Sequence, residues 1–163
     1  MFKLPVLTAV CALALAGSAL AASDREFLTK AMQGDNSEMR LGAMAERRAA
    51  SPEVKDFGRM LNSDHAMAGK QAMALARRLR VPTTMAMAPE AREEAKKLRG
   101  LQGRDFDAEF VRYMVEDHRK DISDFERQAK DGHGPTRGLA EQTLPTLRKH
   151  LEMAEKLQGQ GRG

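Results

Sequence analysis

The sequence is poor in cysteine and in aromatic side chains. Its 163 residues include one cysteine, one tyrosine and no tryptophan, and aromatic residues make up 4% of the total. One cysteine excludes an intrachain disulfide and a metal site built from several thiolates. Few aromatic rings also argue against single-stranded nucleic-acid binding, which relies on base stacking. The fold must be stabilised by a hydrophobic core, and this length is sufficient for one domain.

The single cysteine, Cys11, lies in the only long apolar run of the sequence. A positive charge at Lys3 precedes this run, and Ala19-Leu20-Ala21 ends it. This arrangement is typical of a secretory signal peptide. A single-pass anchor is the alternative, but the run is short for a spanning helix and lacks a basic stop-transfer flank. We therefore predict a signal peptide at residues 1–21, a periplasmic location, and no stable membrane insertion after cleavage.

The charged residues are mixed in sign along the chain. There are 27 Lys and Arg residues against 23 Asp and Glu residues, for a formal net charge of +4. Runs such as Glu93-Glu94-Ala95-Lys96-Lys97 are typical of solvated helix surfaces with i,i+4 ion pairs. The charge pattern therefore predicts no nucleic-acid partner. It indicates neither a protein partner nor an oligomeric state.

Apolar periodicity predicts four long amphipathic helices and no strand. The first begins at a capping box, Ser23 to Glu26, and the second at an N-cap followed by proline, Ser51-Pro52. The third spans about Asp105–Lys130 and the last ends near Leu157. A short helix over Pro89–Arg99 is predicted in the long connection between the second and third helices.

Two short turns and one long connection join these helices into two hairpins linked by a crossover. This connectivity is that of a ferritin-like four-helix bundle. We predict an all-α, ferritin-like bundle domain at residues 22–158 and a disordered tail at residues 159–163. Pro145 lies inside the last helix and is expected to kink or interrupt it, because proline has no amide donor.

A nine-residue motif occurs twice, once in each hairpin. Residues Phe57 to His65 and Phe110 to His118 both read F-x-R-x-[LM]-x-x-D-H. The repetition indicates an internal duplication or a symmetric site. In both helices the histidine falls on the apolar face, where an unpaired polar group costs free energy.

Two more polar residues fall on apolar faces, opposite these histidines. Glu38 lies as far before the first turn as His65 lies after it, and His118 and His150 have the same relation to the second turn. Three imidazoles and a carboxylate suit one transition-metal ion, such as Zn, Cu, Fe or Mn. The predicted ligands are Glu38, His65, His118 and His150. Asp64 and Asp117 are predicted either as extra ligands or as hydrogen-bond acceptors that fix the histidine tautomers.

Other interpretations of the metal chemistry stay open. The di-iron template requires Glu-x-x-His on two helices. The positions three residues before the histidines hold Asn62, Val115 and Leu147, so a mononuclear site fits better. Met85 and Met87, in the crossover, form an alternative soft-metal site, because thioethers favour Cu(I).

The function of such a core also has alternatives. The leading hypothesis is metal or stress handling without turnover. The same Glu and His side chains could instead form a metal-free network that only fixes the bundle of a structural or interaction module. A redox enzyme with a core-bound metal is the third possibility. No nucleophile–histidine pattern or phosphate-binding loop is present, so no catalytic residue is predicted.

Several stretches together resemble an exported bacterial family known as domain of unknown function 4142. The stretches include Leu61-x-x-Asp64-His65, Met114-Val115-Glu116-Asp117-His118 and Thr143-Leu144-Pro145-x-Leu147-x-x-His150-Leu151. The resemblance extends over residues 22–163. It implies a ferritin-like fold and a periplasmic or envelope location, and it implies no established activity. The family's recurrent positions correspond to His65, His118 and His150.

Overall fold

The structure, a computed structural model, describes the backbone of residues 9–161 and the side chains of residues 22–161. Within these residues the fold is all-α, as predicted. The helices are α1 (Ala9–Arg48), α2 (Pro52–Arg78), α3 (Pro89–Arg99), α4 (Gly103–Asp131) and α5 (Gly134–Gln160). The side chains of the predicted signal peptide, residues 1–21, lie outside the described part. No helix among the described residues combines the length and apolar character needed to cross a bilayer.

The four long helices pack as two hairpins. Helix α1 packs along α2, and α4 packs along α5. The hairpins contact each other mainly through α2 and α5, and also through α1 and α4, while the short α3 packs against α4 and α1. Helix α3 has the predicted bounds, Pro89–Arg99. The result is a helical bundle with a long connection between its two halves.

The beginnings of α1 and α2 differ in how well the sequence predicted them. Helix α2 has the predicted N-cap, because the Ser51 side chain accepts a hydrogen bond from the Val54 amide at 3.1 Å. The prediction of a capping box at Ser23 is wrong. The residues before Ser23 are already helical, so their carbonyls accept the amide hydrogen bonds that a cap would have supplied. Glu26 instead forms an ion pair with Lys30 at 2.7 Å.

Helix α5 continues through Pro145 without a break. The prediction that proline would interrupt the helix is therefore wrong. Proline removes one hydrogen bond, but Leu144 and Leu147 on either side of it are both buried in the core. Their burial favours continuing the helix over ending it.

Helix α5 also extends beyond its predicted end near Leu157. It ends at Gln160, and the Gly161 amide donates to the Leu157 carbonyl at 3.1 Å. The first two residues of the predicted tail are therefore helical. Residues 162–163 lie outside the described part of the chain.

The buried apolar side chains form two clusters with a polar layer between them. One cluster includes Leu61 and Met114, and the other includes Ala72 and Phe125. Along each long helix, at least one buried polar residue that faces the centre falls between the positions that belong to the two clusters. These residues are Glu38, His65, His118 and His150.

The first hairpin contains a close contact between two glycines, Gly42 of α1 and Gly58 of α2. A Cβ at Gly42 would lie 2.6 Å from the Gly58 carbonyl oxygen, and a Cβ at Gly58 would lie 2.7 Å from the Gly42 carbonyl oxygen. No other residue allows the two backbones to approach this closely. Because Gly42 lies one turn after Glu38, the contact also sets the distance between Glu38 and α2.

The turn between α1 and α2 is held by the second hairpin. The carboxylate of Asp107, near the start of α4, accepts hydrogen bonds from the backbone amides of Ala50 and Ser51, both at 2.8 Å. These bonds satisfy two amides that the turn leaves without helical partners. They also tie the turn of one hairpin to the other hairpin.

Candidate metal centre

Each of the four long helices places one polar residue in the centre of the bundle. Glu38 comes from α1, His65 from α2, His118 from α4 and His150 from α5, and all four are at most 3% exposed. The ring centroids of the three histidines lie 5.1 to 5.8 Å apart. The structure therefore brings together the four residues that the apolar spacing singled out.

One nitrogen of each histidine ring faces a hydrogen-bond acceptor. The Nδ1 atom of His65 lies 3.0 Å from the Asp35 carboxylate, and the Nε2 atom of His150 lies 3.0 Å from the Asp64 carboxylate. The acceptor for His118 is its own helix, because Nδ1 lies 2.9 Å from a carbonyl oxygen one turn earlier. A nitrogen that faces an acceptor must hold the proton. The three contacts therefore fix the tautomer and the orientation of each ring.

The other nitrogen of each ring is buried and has no hydrogen-bond partner among the described residues. These atoms are Nε2 of His65, Nε2 of His118 and Nδ1 of His150. One ring nitrogen from each histidine lies within 4.8 Å of the other two. Unprotonated imidazole nitrogens with the opposite N–H held by an acceptor are the usual donors in transition-metal sites.

Glu38 lies between two of the histidines. Its carboxylate oxygens are 3.1 Å from Nε2 of His65 and 3.1 Å from Nδ1 of His118. Neither approach has hydrogen-bond geometry, and Oε1 of Glu38 is buried without a partner. Burial raises the pKa of Glu38 well above its usual range, and the negative charges of Asp117 and Asp121 raise it further. The carboxylate therefore lacks the positive partner that would stabilise its ionised form.

The electrostatics of the core favour neutral imidazole rings at His118 and His150. Burial lowers the pKa of His118 well below its usual range, and the neighbouring His65 and His150 lower it further. Burial likewise lowers the pKa of His150 to about 4, although Asp64 acts in the opposite direction. Both rings are therefore unprotonated near neutral pH, which is the form that binds metal ions.

Two of the aspartates near the core have raised pKa values. Burial raises the pKa of Asp117 to about 6, and burial together with the charge of Asp117 raises the pKa of Asp121 to about 8. One oxygen from each of these carboxylates and one from Glu38 lie within 4.8 Å of one another. The centre of the bundle thus has a histidine group and a carboxylate group, and Glu38 of the second group lies 3.1 Å from two histidines of the first.

Asp64 and Asp117 were predicted as extra ligands or as acceptors for histidines. Asp64 is an acceptor, but for His150 of the other hairpin and not for its neighbour in sequence. Asp117 belongs to the carboxylate group described above. Sequence reasoning missed Asp35 and Asp121. Asp35 lies three residues before Glu38, and Asp121 three residues after His118, so helical spacing alone would have placed each on the same face as a predicted ligand.

The methionines of the alternative soft-metal site lie in different surroundings. The side chain of Met85 is 54% exposed, and its carbonyl oxygen accepts a hydrogen bond from the Asn36 side chain. Met87 is half-buried and packs against the apolar cluster that contains Leu61. Met85 is therefore largely exposed to solvent, and Met87 is part of the apolar packing.

Two cavities approach the centre between different sets of helices. One, of about 240 Å³, lies between α2 and α5 and is lined by Asp64, His65 and Met67. The other, of about 440 Å³, is lined by residues of α1, α3 and α4, among them Asp117 and Asp121. The histidine group and the carboxylate group are therefore each reached by a cavity of their own.

Fold and site together define an all-α helical bundle with a histidine- and carboxylate-rich core. The chain belongs to the family described as "Domain of unknown function (DUF4142)", whose sequence model matches residues 10–157. The family resemblance found in the sequence is thereby confirmed. No curated protein matches the sequence.

Two solved structures have a similar fold. The crystal structure of a DUF305 fragment from Deinococcus radiodurans is 20% identical, with a TM-score of 0.75, over 85% of this chain and 96% of that chain. CopM in the Cu(II)-bound form is 18% identical, with a TM-score of 0.71, over 84% of this chain and 96% of that chain. At these identities the likeness establishes the helical fold alone.

Proposed function

We propose that this protein binds one divalent transition-metal ion through His65, His118 and His150, with Glu38 as a fourth ligand. The observation that supports this most directly is the convergence of three buried imidazoles, each with one nitrogen fixed as a donor and the other unpartnered. The carboxylate of Glu38 lies 3.1 Å from the unpartnered Nε2 of His65, and 3.1 Å from Nδ1 of His118, the nitrogen that holds the proton. Three nitrogens and one oxygen are a common donor set for such ions.

A metal-free network explains this arrangement less well. Each buried polar atom without a partner costs about 1–3 kcal/mol, and the three histidines contribute three such nitrogens. A network selected only to fix the bundle would pair both nitrogens of each ring. One bound ion would satisfy all three nitrogens and would also neutralise the Glu38 carboxylate.

The donor set suits Zn(II), Cu(II), Fe(II) and Mn(II), and Cu(II) is the first of these to test. Affinity for nitrogen and oxygen ligands is highest for Cu(II) among the divalent ions of the first transition row. One structural neighbour, CopM, is described in its Cu(II)-bound form. The proposed role is metal handling in a ferritin-like bundle, and the signal-peptide pattern at residues 1–21 favours a periplasmic location. Mass spectrometry of the protein from a periplasmic fraction should give a chain that begins near Ala22.

Calorimetric titration of the purified protein, without a histidine tag, tests the metal site. We expect one ion to bind per chain, and His118→Ala or His150→Ala to weaken binding at least tenfold. The matched control is His133→Ala, because His133 is exposed at the start of α5 and lies outside the centre. Absence of stoichiometric binding for all four ions, or equal binding by the His118 and His133 variants, would refute the proposal.

Thermal unfolding separates the metal site from the structural alternative. If the core only fixes the bundle, His118→Ala lowers the melting temperature equally with and without metal. If the core binds metal, the ion stabilises the wild type and not the variant.

The redox alternative requires a solvent path to the metal. The cavity of about 240 Å³ that reaches His65 is compatible with such a path. Peroxide consumption by the metal-loaded protein, compared with the His118→Ala variant, tests this alternative directly.

A further inference from the structure

The carboxylate group beside the histidines has the features of a second site. One oxygen each from Glu38, Asp117 and Asp121 lies within 4.8 Å of the others. We infer that these three residues bind a second divalent cation, of the kind that prefers oxygen ligands, and that Glu38 is shared with the histidine centre. The inference depends on the proposed function only through this shared residue.

Among the described side chains, the carboxylate group has no directly paired cation. No lysine or arginine in the described part of the chain forms an ion pair with Glu38, Asp117 or Asp121. Lys120, which lies between the two aspartates in sequence, attracts both at longer range but forms its ion pair with Glu90, at 3.3 Å. Three carboxylates this close repel one another when ionised. A divalent cation bound among them would replace the repulsion with attraction.

Two buried oxygens without partners provide an independent observation. The Tyr113 hydroxyl, on a residue that is 9% exposed, lies near Asp117 but makes no hydrogen bond of good geometry. It lines the same cavity as Asp117 and Asp121. Oε1 of Glu38 is also unpaired, on a side chain that is 1% exposed. Unpaired buried oxygens are rare in native proteins and call for an explanation. A cation, with water completing its coordination, accounts for both.

There is also space for the ion and its water. The cavity of about 440 Å³ beside Asp117 and Asp121 opens to the surface, so it provides an access route that does not pass the histidines. Gly34 of α1 lines it, and a Cβ there would lie 3.3 Å from Oδ2 of Asp121. A larger residue at this position would crowd the carboxylate that completes the group.

The ligand types separate the two sites chemically. Carboxylate, phenol and water oxygens suit hard ions such as Mn(II), Mg(II) or Ca(II). The histidine group suits Cu(II) or Zn(II) better. Mn(II) is the appropriate probe for the carboxylate site, because the free aquo ion has a strong electron paramagnetic resonance signal that weakens on binding.

Mn(II) titration of the full chain, with the histidine centre first saturated with Zn(II), tests the inference. We expect the wild type to bind one Mn(II), and Asp121→Asn to bind it at least tenfold more weakly. Asp117→Asn is the second variant. The matched control is Asp124→Asn, because Asp124 lines the same cavity but pairs with Arg127. Asp121→Asn removes a repelling charge, so it is expected to fold, and circular dichroism verifies this.

The possible outcomes distinguish this inference from the proposed function. The second site would be overturned if the wild type bound no Mn(II), or if the Asp121→Asn and Asp124→Asn variants bound Mn(II) equally well. Loss of Cu(II) binding in His150→Ala would still support the histidine centre. Conversely, Mn(II) binding that depends on Asp121, together with Cu(II) binding unaffected by His150→Ala, would support the carboxylate site alone.

Discussion

The contact between Gly42 and Gly58 allows a stability prediction to be worked out from the structure. In Gly58→Ala the new Cβ would lie 2.7 Å from the Gly42 carbonyl oxygen and 2.8 Å from the Ala45 Cβ. Both distances are well below van der Waals contact. The clash involves backbone on the opposite helix, so no rotamer change relieves it. Helices α1 and α2 must move apart.

The expected cost follows from two opposing effects. Overpacking a well-packed interface costs about 1–3 kcal/mol, and the backbone clash in Gly58→Ala puts this substitution near the upper end. Alanine also favours the helix over glycine by about 1 kcal/mol. The net loss is therefore about 2 kcal/mol. For a domain of this size that corresponds to a fall in melting temperature of about 4–8 °C.

Thermal unfolding followed by circular dichroism measures this effect, with Gly138→Ala as the matched control. A Cβ at Gly138 would meet no atom within 4 Å, so this change should raise the melting temperature by a few degrees. In Gly58→Ala, separation of the helices should also move Glu38 away from His65 and weaken metal binding. If Gly58→Ala were as stable as Gly138→Ala, the close approach of the two helices would be refuted.

Three further predictions concern side chains around the core. Asp35→Asn should weaken metal binding by about 10–100-fold, because it alters the acceptor that orients His65, and calorimetry would contradict this if affinity were unchanged. In metal-free protein, the pKa of Asp121 is raised from 3.8 to about 8. The free energy of unfolding that the protonated side chain contributes below pH 4 is therefore lost as the pH rises through about 8. Asp121→Asn should therefore recover about 1–3 kcal/mol at pH 9, and equal denaturant curves at pH 6 and 9 for the wild type would disprove this. Asp107→Ala exchanges the carboxylate bonds of the Ala50 and Ser51 amides for bonds to water and should cost about 1–3 kcal/mol for the two bonds together, and an unchanged denaturation midpoint would contradict it.

The sequence predicted the helices and the four central residues for one physical reason. Apolar spacing defines which face of each helix is buried, and tight turns define which positions on paired helices are level with each other. These two rules select Glu38, His65, His118 and His150. The bounds of the crossover helix could be predicted for a different reason, because Pro89 and Gly100 mark its two ends.

Periodicity could not predict what surrounds those residues. Asp35, Asn36, Ser37 and Glu38 form a run of polar residues that a helical pattern would place partly in solvent, yet all four are buried. Two of them are covered by the crossover: Asn36 donates to the Met85 carbonyl, and the Ser37 hydroxyl accepts from the Ala88 amide at 2.9 Å. The path of an irregular segment depends on such individual hydrogen bonds and not on hydrophobic repeats. The burial of Asn36 and Ser37 could therefore not be predicted from the sequence, whereas Asp35, one turn before Glu38, could have been placed by helical spacing.

The polar layer has a consequence for the assembly of the chain. Each hairpin can form from contacts that are close in sequence, but the first contributes Glu38 and His65 and the second contributes His118 and His150. The bond between Asp64 and His150 also joins one hairpin to the other. The complete donor set therefore exists only after the two hairpins have docked. A bound ion would act as a removable cross-link between distant parts of a chain that has one cysteine, and it should slow unfolding more than it accelerates folding.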